Sequence, residues 1–442
     1  MWGAAACAMV IASAMPAVAE EASAGLAGPA RGLMGPPAPL YRASGEEDAP
    51  PPAILFNTEL EGLMAEAVAR HPSIASRHAS LRAAGVDITS AWLTRLPTMS
   101  IQANQYGSIA MSQTVAASID MPLWTNGRIS ATIARAHANQ QVETWRLAET
   151  VLDVQMQVNQ YYHEVKRQAE REQVLTRTLG VMDEMVASMQ RRVDQEVSPQ
   201  ADLQLVQSRR LQVQQQRDLT MAQRASALAH LRDLVLRDDI VLGPDWIAPS
   251  RWPQWQSDRL IQQGLTVSPQ RRRVIAEAKV SEEDAKVAAA ARLPSLYGSY
   301  SYDEVYHHRL GISLRMQTNG GFSEIFIAHA AKLREKASEL QVPTTEQDLK
   351  ATLSADLVEY DSARARQDGA QELAKASVRI TESYVRQFVS GRRTWLDLMN
   401  AVREAMSAEL DAIDVRYSAA SAANRLLLRT GNLQETTEGS KK

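Results

Sequence analysis

The sequence predicts an α+β membrane protein. Each chain would give four strands to a shared transmembrane β-barrel, continued by a long periplasmic α-helical barrel, and the whole is built as two internal structural repeats. Three observations carry this expectation. The chain repeats itself, four short stretches alternate apolar and polar residues, and two very long stretches keep a helical period.

The repeat is direct. The segment from Glu66, EAVARHPSIASRHASLRAAGVDITSAWLTRLPTM, lies over QGLTVSPQRRRVIAEAKVSEEDAKVAAAARLPSL from Gln263. Pro72 pairs with Pro269, and Arg95-Leu96-Pro97 with Arg292-Leu293-Pro294, at an offset of 197. Ile119 to Gly127 (IDMPLWTNG) then matches Ile312 to Gly320 (ISLRMQTNG) at an offset of 193. Each copy reads helix, Arg-Leu-Pro, alternating stretch, Thr-Asn-Gly, long helix.

Composition agrees with much wetted helix surface. The 442 residues include only 5% aromatics and four Phe, with a mean hydropathy of -0.28. A large compact core needs more bulky apolar residues than this. The net charge of -3 gives no basis for binding nucleic acid. Arg271-Arg272-Arg273 is the one basic run, and it reads as a solvated helix face.

Residues 1–19 read as a signal peptide. An apolar Ala-rich stretch, Ala4 to Met15, precedes Ala17-Val18-Ala19, a small-residue cleavage pattern, although the usual basic residues before the apolar run are missing. The single cysteine, Cys7, falls inside this segment, so the mature chain is expected to have no thiol chemistry. Beyond it there is no apolar run of 18 residues to form a transmembrane helix. Residues 20–54 are rich in Pro, Gly and Ala and read as a tether without fixed structure.

The first repeat spans 55–233. Helical patterning runs from about Leu60 to Leu93, and Pro97 closes it. The period then changes to two, with Met99 and Ile101, and later Ile119 and Met121, alternating with polar neighbours. Strands are placed at about 98–106 and 113–123. A helix at 129–196 follows, and Leu175, Leu179, Met182, Val186, Met189 and Val193 form a heptad seam on it. Val197-Ser198-Pro199 turns the chain, and Pro199 opens a helix at its first position, over 199–233. Residues 234–257, with four Pro or Gly breakers, are a linker. The second repeat, 258–430, places a helix at 258–291, strands at about 295–303 and 306–316, a long helix at 322–390 and a last helix at 394–430. Pro343 is expected to kink or interrupt the third of these. Residues 431–442 are a polar tail.

Four strands of about ten residues cannot close a barrel of eight or more, and an open sheet edge in lipid is not viable. The strands must therefore be shared between chains. Two chains would give eight strands and three would give twelve, and the pattern does not choose between them. Long helices with apolar seams and two wet faces suit a hollow cylinder. A shared barrel continued by a helical tube is a conduit.

The residues that carry a family resemblance are the two Leu-Pro junctions, the two Thr-Asn-Gly turns and the second-copy stretch Arg386-Gln387-Phe388 with Gly391-Arg392-Arg393-Thr394-Trp395-Leu396-Asp397-Leu398-Met399-Asn400-Ala401. On these the mature chain resembles the TolC family of outer-membrane efflux and secretion channels. The resemblance implies a homotrimer with a twelve-stranded outer-membrane barrel seated in outer-membrane lipid, and a periplasmic helical tunnel. It also implies a periplasmic adaptor (membrane fusion) protein and an inner-membrane ABC or proton-driven transporter as partners. With Trp395 and the Val197-to-Asp202 turn, the wording is most similar to the subgroup serving type I secretion of large adhesins; small-molecule or multidrug efflux is the alternative. Glu196 and Pro199 depart from the family pattern, as does Arg315 where copy one has Pro122.

By the resemblance, the turns at 196–202 and 391–397 form a periplasmic tip, closed by polar links between helix pairs. The matching positions are Asp202, Phe388, Gly391, Arg393 and Asp397. Arg393 would pair with a carboxylate, Asp202 among the choices; alternatively Asp202 and Asp397 only cap helix N-termini. Pro97, Asn126, Gly127, Pro294, Asn319 and Gly320 mark the junctions between helices and barrel. A periplasmic coiled-coil adaptor is the rival from another class, but it would carry one hairpin where this chain has two. No nucleophile elbow, phosphate loop or metal constellation is present in the sequence, so no catalytic residue, metal or cofactor is expected. His307 and His308 are neighbours on a strand and face opposite sides.

Overall fold

The computed structural model describes residues 58–106, 112–243, 252–303, 307–316 and 320–431. The expected signal peptide, the tether, Asn319 and the tail beyond Gly431 lie outside the described residues.

Chain order is α1 (Thr58–Arg70), α2 (Pro72–Leu93), β1 (Thr98–Tyr106), β2 (Ser112–Trp124), α3 (Arg128–Asp194) and α4 (Gln200–Val235). The second copy gives α5 (Ser257–Val267), α6 (Pro269–Ala291), β3 (Ser295–Asp303), β4 (His307–Arg315), α7 (Ser323–Val389) and α8 (Trp395–Thr430). The long helices match in length: 67 and 36 residues in the first hairpin, 67 and 36 in the second. At 1.5 Å per residue, α3 and α7 each extend about 100 Å. Helix starts are now separated by one offset, since Arg128 to Ser323 and Gln200 to Trp395 are both 195 positions.

The single helices expected at the front of each repeat are in fact two. Pro72 and Pro269 sit at the first turns of α2 and α6, where a missing N–H costs nothing. His71 Nδ1 accepts from the Ser73 amide (3.3 Å), and the Ser268 hydroxyl accepts from Arg271 (3.3 Å), so each break is a proper helix start. The paired prolines that align the repeat are therefore its hinge points.

Pro343 corrects the opposite way. The helix runs on through it, from Ser323 to Val389. Position 343 has no N–H for the ladder, but Thr344 and Thr345 hydroxyls donate to the Leu340 and Gln341 carbonyls (3.1 and 2.9 Å) and support the turn. Pro199 is also one step off its expected place, as the extended N-cap of α4 (φ -66, ψ 149), with the helix beginning at Gln200.

The strands form one antiparallel sheet in the order β1-β2-β3-β4. The β2–β3 pairing, with Ile119 opposite Tyr300 and Met121 opposite Gly298, joins the two repeats. β1 and β4 are the sheet's outer strands.

The helices are held by four apolar clusters. Leu175 and Leu179 pack with Val213 of α4 and Leu410, Ile413 and Tyr417 of α8. Met182 and Met189 pack with Leu203 and Val206 of α4 and Leu398, Met399 and Val402 of α8, with Val186, Val193 and Phe388 at the edge. The heptad seam read from the sequence is thus the face on which α4 and α8 both rest. Near the other end, α1 lies on α3 and α4 through Leu60, Leu63 and Met64 against Val158, Leu231 and Leu234. Leu260 of α5 packs with Leu353 and Tyr360 of α7 and Leu426 of α8.

Candidate functional site

The sheet has two chemically distinct faces. Residues directly opposite in an antiparallel pair share a face. One face gathers Met99, Ile101, Ile119, Met121, Leu310, Ile312 and Leu314 by register. Much of it is bare: Leu310 is 87% exposed, Ile312 73%, Met99 71% and Ile101 61%. A sheet in water avoids an open apolar face of this kind. Trp124, at 55% exposed, stands at its end.

The other face is polar and self-linked. Ser100 and Ser118 hydroxyls meet at 2.8 Å. Arg315 donates to both Asp120 oxygens (3.1 and 2.5 Å), reaching across β3, and its guanidinium lies over the Tyr297 ring at 5.0 Å. Arg128 donates to the Tyr297 hydroxyl (3.0 Å). The Arg315 that departs from Pro122 in the first copy is therefore the partner of a carboxylate in that copy. On the apolar face, by contrast, His308 Nδ1 bonds the Tyr300 hydroxyl at 2.6 Å, Tyr300 standing opposite Ile119 and Leu310.

The junction residues act as chain-direction changes. Asn126 and Gly127 both take left-handed backbone (φ 53 and 81), and Asn126 Nδ2 donates to the Pro294 carbonyl (2.7 Å), tying one repeat's junction to the other's. In the second copy the left-handed run among the described residues is Gly320, Gly321 and Phe322 (φ 45, 69 and 65), one residue longer. Leu96 and Leu293, before Pro97 and Pro294, are about half exposed.

At the hairpin ends, Gly391 takes φ 73, and Arg392 N–H returns to the Gln387 carbonyl (2.9 Å), closing α7. Glu196 holds the equivalent place after α3 with φ 60, and Val197 N–H returns to Arg192 (2.8 Å). Thr394 caps α8: its hydroxyl accepts from the Asp397 amide (3.1 Å) and donates to the Asp397 carboxylate (2.8 Å). Asp397 is thus a capping residue within its own chain. Asp202 lies in the first turn of α4.

Arg393 does not reach Asp202 within one chain. Its guanidinium lies over the Tyr384 ring at 4.5 Å and donates to Gln387 Oε1 at 3.2 Å. Phe388 is packed on the tip cluster with Arg192 over its ring at 5.7 Å. So the five tip residues stand at the ends of both hairpins, but the anticipated pair is absent from the described contacts of one chain.

Sequence reasoning missed a polar node deep between α3 and α8. Asn424 Nδ2 donates to His163 Nε2 (2.9 Å) and to Asn159 Oδ1 (3.1 Å). Burial, with the Arg425 and Lys166 cations nearby, pushes the His163 imidazole down to about 3, so it stays neutral at ordinary pH. Lys166, nearly buried, bonds Glu59 of α1 at 3.2 Å, and the Tyr162 hydroxyl donates to the same carboxylate at 2.9 Å. Tyr417 donates to Glu170 at 2.6 Å, and Arg416 also pairs with Glu170. His and Asn at helical spacing look like ordinary surface in a sequence; only the α3–α8 contact makes them a node.

The basic run is likewise not a free solvated face. Arg271 bonds Glu346 of α7 (2.6 Å), Arg272 lies over Trp145 of α3 (4.8 Å), and Arg273 bonds Glu149 of α3 (2.6 Å). The three arginines lace α6 to both long helices. Tyr161 of α3 stacks on His230 of α4 at 4.9 Å.

Among the described residues, no group of three or more His, Cys, Asp or Glu is placed to hold a metal ion, and no helix is long and apolar enough to cross a membrane.

Comparison with known proteins points one way. Residues 63–235 match the family model described as outer membrane efflux protein. No curated protein sequence matches the chain. Among solved structures, a membrane protein from Pseudomonas aeruginosa superposes with a TM-score of 0.74 at 17% identity, over 85% of this chain and 90% of that one. The outer-membrane channel OprN gives a TM-score of 0.75 at 15% identity, over 86% and 91%. The CmeC outer membrane channel of Campylobacter jejuni gives 0.74 at 14% identity, over 90% and 94%. At these identities the superpositions establish a shared fold.

Proposed function

The chain belongs to the TolC-type outer membrane efflux protein family, whose members are transport conduits without enzymatic activity, and from that premise we propose that it is the outer-membrane tunnel of a three-part export machine. The observation that carries this reading is the two-faced sheet with its bare apolar side. Such a face fits lipid, while the Asp120–Arg315 face fits a water-filled lumen. Four strands leave β1 and β4 as outer strands, so the barrel is completed by further copies, three in all on the family pattern. The 67-residue helices then carry the lumen about 100 Å into the periplasm.

A passive tube has no energy source of its own. A periplasmic adaptor and an inner-membrane transporter, ABC-type or proton-driven, supply it. Val197, Val389 and Leu396 at the hairpin ends, 64%, 82% and 48% exposed, offer apolar surface for such docking. The tip residues Asp202, Phe388, Gly391, Arg393 and Asp397 form the gate. With Arg393 held on Tyr384 and Gln387 inside its own chain, any closing pair with Asp202 runs between chains. Each exposed pair contributes about 0–1 kcal/mol, so closure needs several per assembly.

For cargo, the wording around Gly391–Ala401 supports type I secretion of a large protein such as an adhesin. The family's description supports small-molecule efflux as the second reading.

Fractionation tests the main reading. The chain is expected in the outer membrane, migrating as a heat-modifiable oligomer in detergent. A chain released as a soluble periplasmic monomer would instead support the adaptor scaffold. For the gate, Arg393→Ala should raise the conductance of the free oligomer, and unchanged conductance would reject it.

A further inference from the structure

We infer that the helix end of the barrel carries a positively charged collar, built on Arg128 and Tyr297, that draws anions into the lumen and favours acidic cargo. The inference rests on the reading of the polar sheet face as the lumen wall, and it names the charge that this wall presents.

The collar lies where the strands hand over to the long helices. By register, Asp120 of β2 is level with Ser299 of β3, and Arg315 of β4 is level with Ser295. Tyr297 stands midway between those two serines on the same face. The Arg315 guanidinium lies over the Tyr297 ring at 5.0 Å, where the ring's negative face attracts a cation. Arg128, the first residue of α3, donates to the Tyr297 hydroxyl at 3.0 Å. One ring therefore holds two guanidiniums.

Their charges are not balanced. The one carboxylate in the group, Asp120, gives both oxygens to Arg315. Arg128 is half-buried and forms no ion pair among the described residues. Farther along α3, Arg135 is matched by Asp284 of α6 at 3.0 Å. The surplus is thus one cation per chain at the collar, repeated by every copy that completes the barrel.

The position is unfavourable for a cation on local grounds. A helix start carries about half a positive charge of its own. α3 has no acidic residue in its first turn to offset it, whereas α7 opens with Ser323 and Glu324. Arg128 adds to the field of the helix start instead of cancelling it. Holding the Tyr297 hydroxyl needs only a donor, which an uncharged amide side chain also supplies. The charge itself is the part that the local structure does not call for.

The surrounding wall leaves that charge unopposed. The polar face beside the collar is Thr98, Ser100, Ser118, Ser299 and Ser313 by register, all neutral. At about 0.15 M salt a charge acts over about 8 Å, so the collar works on groups passing near the wall; at about 0.01 M it reaches about 30 Å. A carboxylate-bearing solute or an acidic stretch of polypeptide gains from that field, and a cationic one is held back.

Thiol labelling reads the local potential, because Cys7 is the only native cysteine. With Cys7→Ala as background, Ser299→Cys places a thiol opposite Asp120 and two residues from Tyr297. Gln102→Cys, opposite Ala116 and about 13 Å farther along the strands, is the control. The intact oligomer is treated with a negatively or a positively charged methanethiosulfonate of similar size, and the ratio of the two rates is read. In about 0.01 M salt, Arg128→Gln should lower the ratio at position 299 about threefold. Asp120→Asn, which frees Arg315, should raise it about threefold, so either substitution decides the point if the other does not assemble. Arg128→Lys should leave the ratio unchanged, position 102 should move less, and about 1 M salt should erase the differences. A ratio at position 299 that neither substitution moves, or a thiol there that neither reagent reaches, would overturn the collar while a conducting oligomer left the tunnel standing. A native chain that forms no oligomer would overturn the tunnel as well.

Discussion

The two helical hairpins have the same lengths and different chemistry at their ends. After α7 the left-handed turn position is Gly391, and α8 begins with Thr394 and Asp397 bonded to each other. After α3 the same position is Glu196 at φ 60, and α4 begins at Gln200 behind Pro199, an N-cap residue with no side-chain bond to give. A side chain in left-handed backbone costs about 1 kcal/mol. So the fold imposes one turn geometry on both ends, and only the second end has residues suited to it. The long arms differ likewise: His163 stands in the first where Val358 stands in the second, 195 positions on. The polar node seals a contact inside the chain.

The largest effect should come from that node. His163 is held near 3 when folded, against about 6.5 unfolded, so the unfolded chain binds the proton first. The stability it contributes is full above about pH 6.5 and is lost as pH falls toward 3, reaching about 3 kcal/mol at pH 4. Thermal unfolding at pH 7 and pH 4 should show this loss, and His163→Val, which copies the second arm, should remove most of its pH dependence. Equal acid sensitivity in the variant would place its source elsewhere.

Next is the cap. Thr394→Ala should cost about 1 kcal/mol by removing the acceptor for the Asp397 amide. Denaturant unfolding measures it, and Thr394→Ser should keep most of the stability. Smaller again are the turn residues. Gly391→Ala should destabilise by about 1 kcal/mol or less, and Glu196→Gly should stabilise by up to the same amount. If both substitutions moved stability the same way, the strain would not be what separates the two tips.

Much of the fold was legible because it rests on short periodic signals. Alternation at Met99–Ile101 and Leu310–Leu314 located strands, and the Leu175–Val193 heptad located the seam shared by α4 and α8. Pro72 and Pro269 were visible as paired prolines, yet their effect was not. A proline can open a helix or break one, and the capping bonds of His71 and Ser268 decide it. Pro343 shows the converse, since a helix tied to neighbours along its length tolerates one missing bond. At the tip the residues were legible and their partners were not. Arg393 stacks on Tyr384, nine positions back along the chain and across a turn, a contact that only the turn's geometry creates. Arg315–Asp120 and His163–Asn424 are 195 and 261 residues apart, beyond any local signal.

Single-channel recording tests the central claim most directly. The purified oligomer in a planar bilayer should give discrete ion-conducting steps without nucleotide, proton gradient or partner protein. A correctly assembled oligomer that inserts and conducts nothing, with Arg393→Ala equally silent, would contradict the conduit.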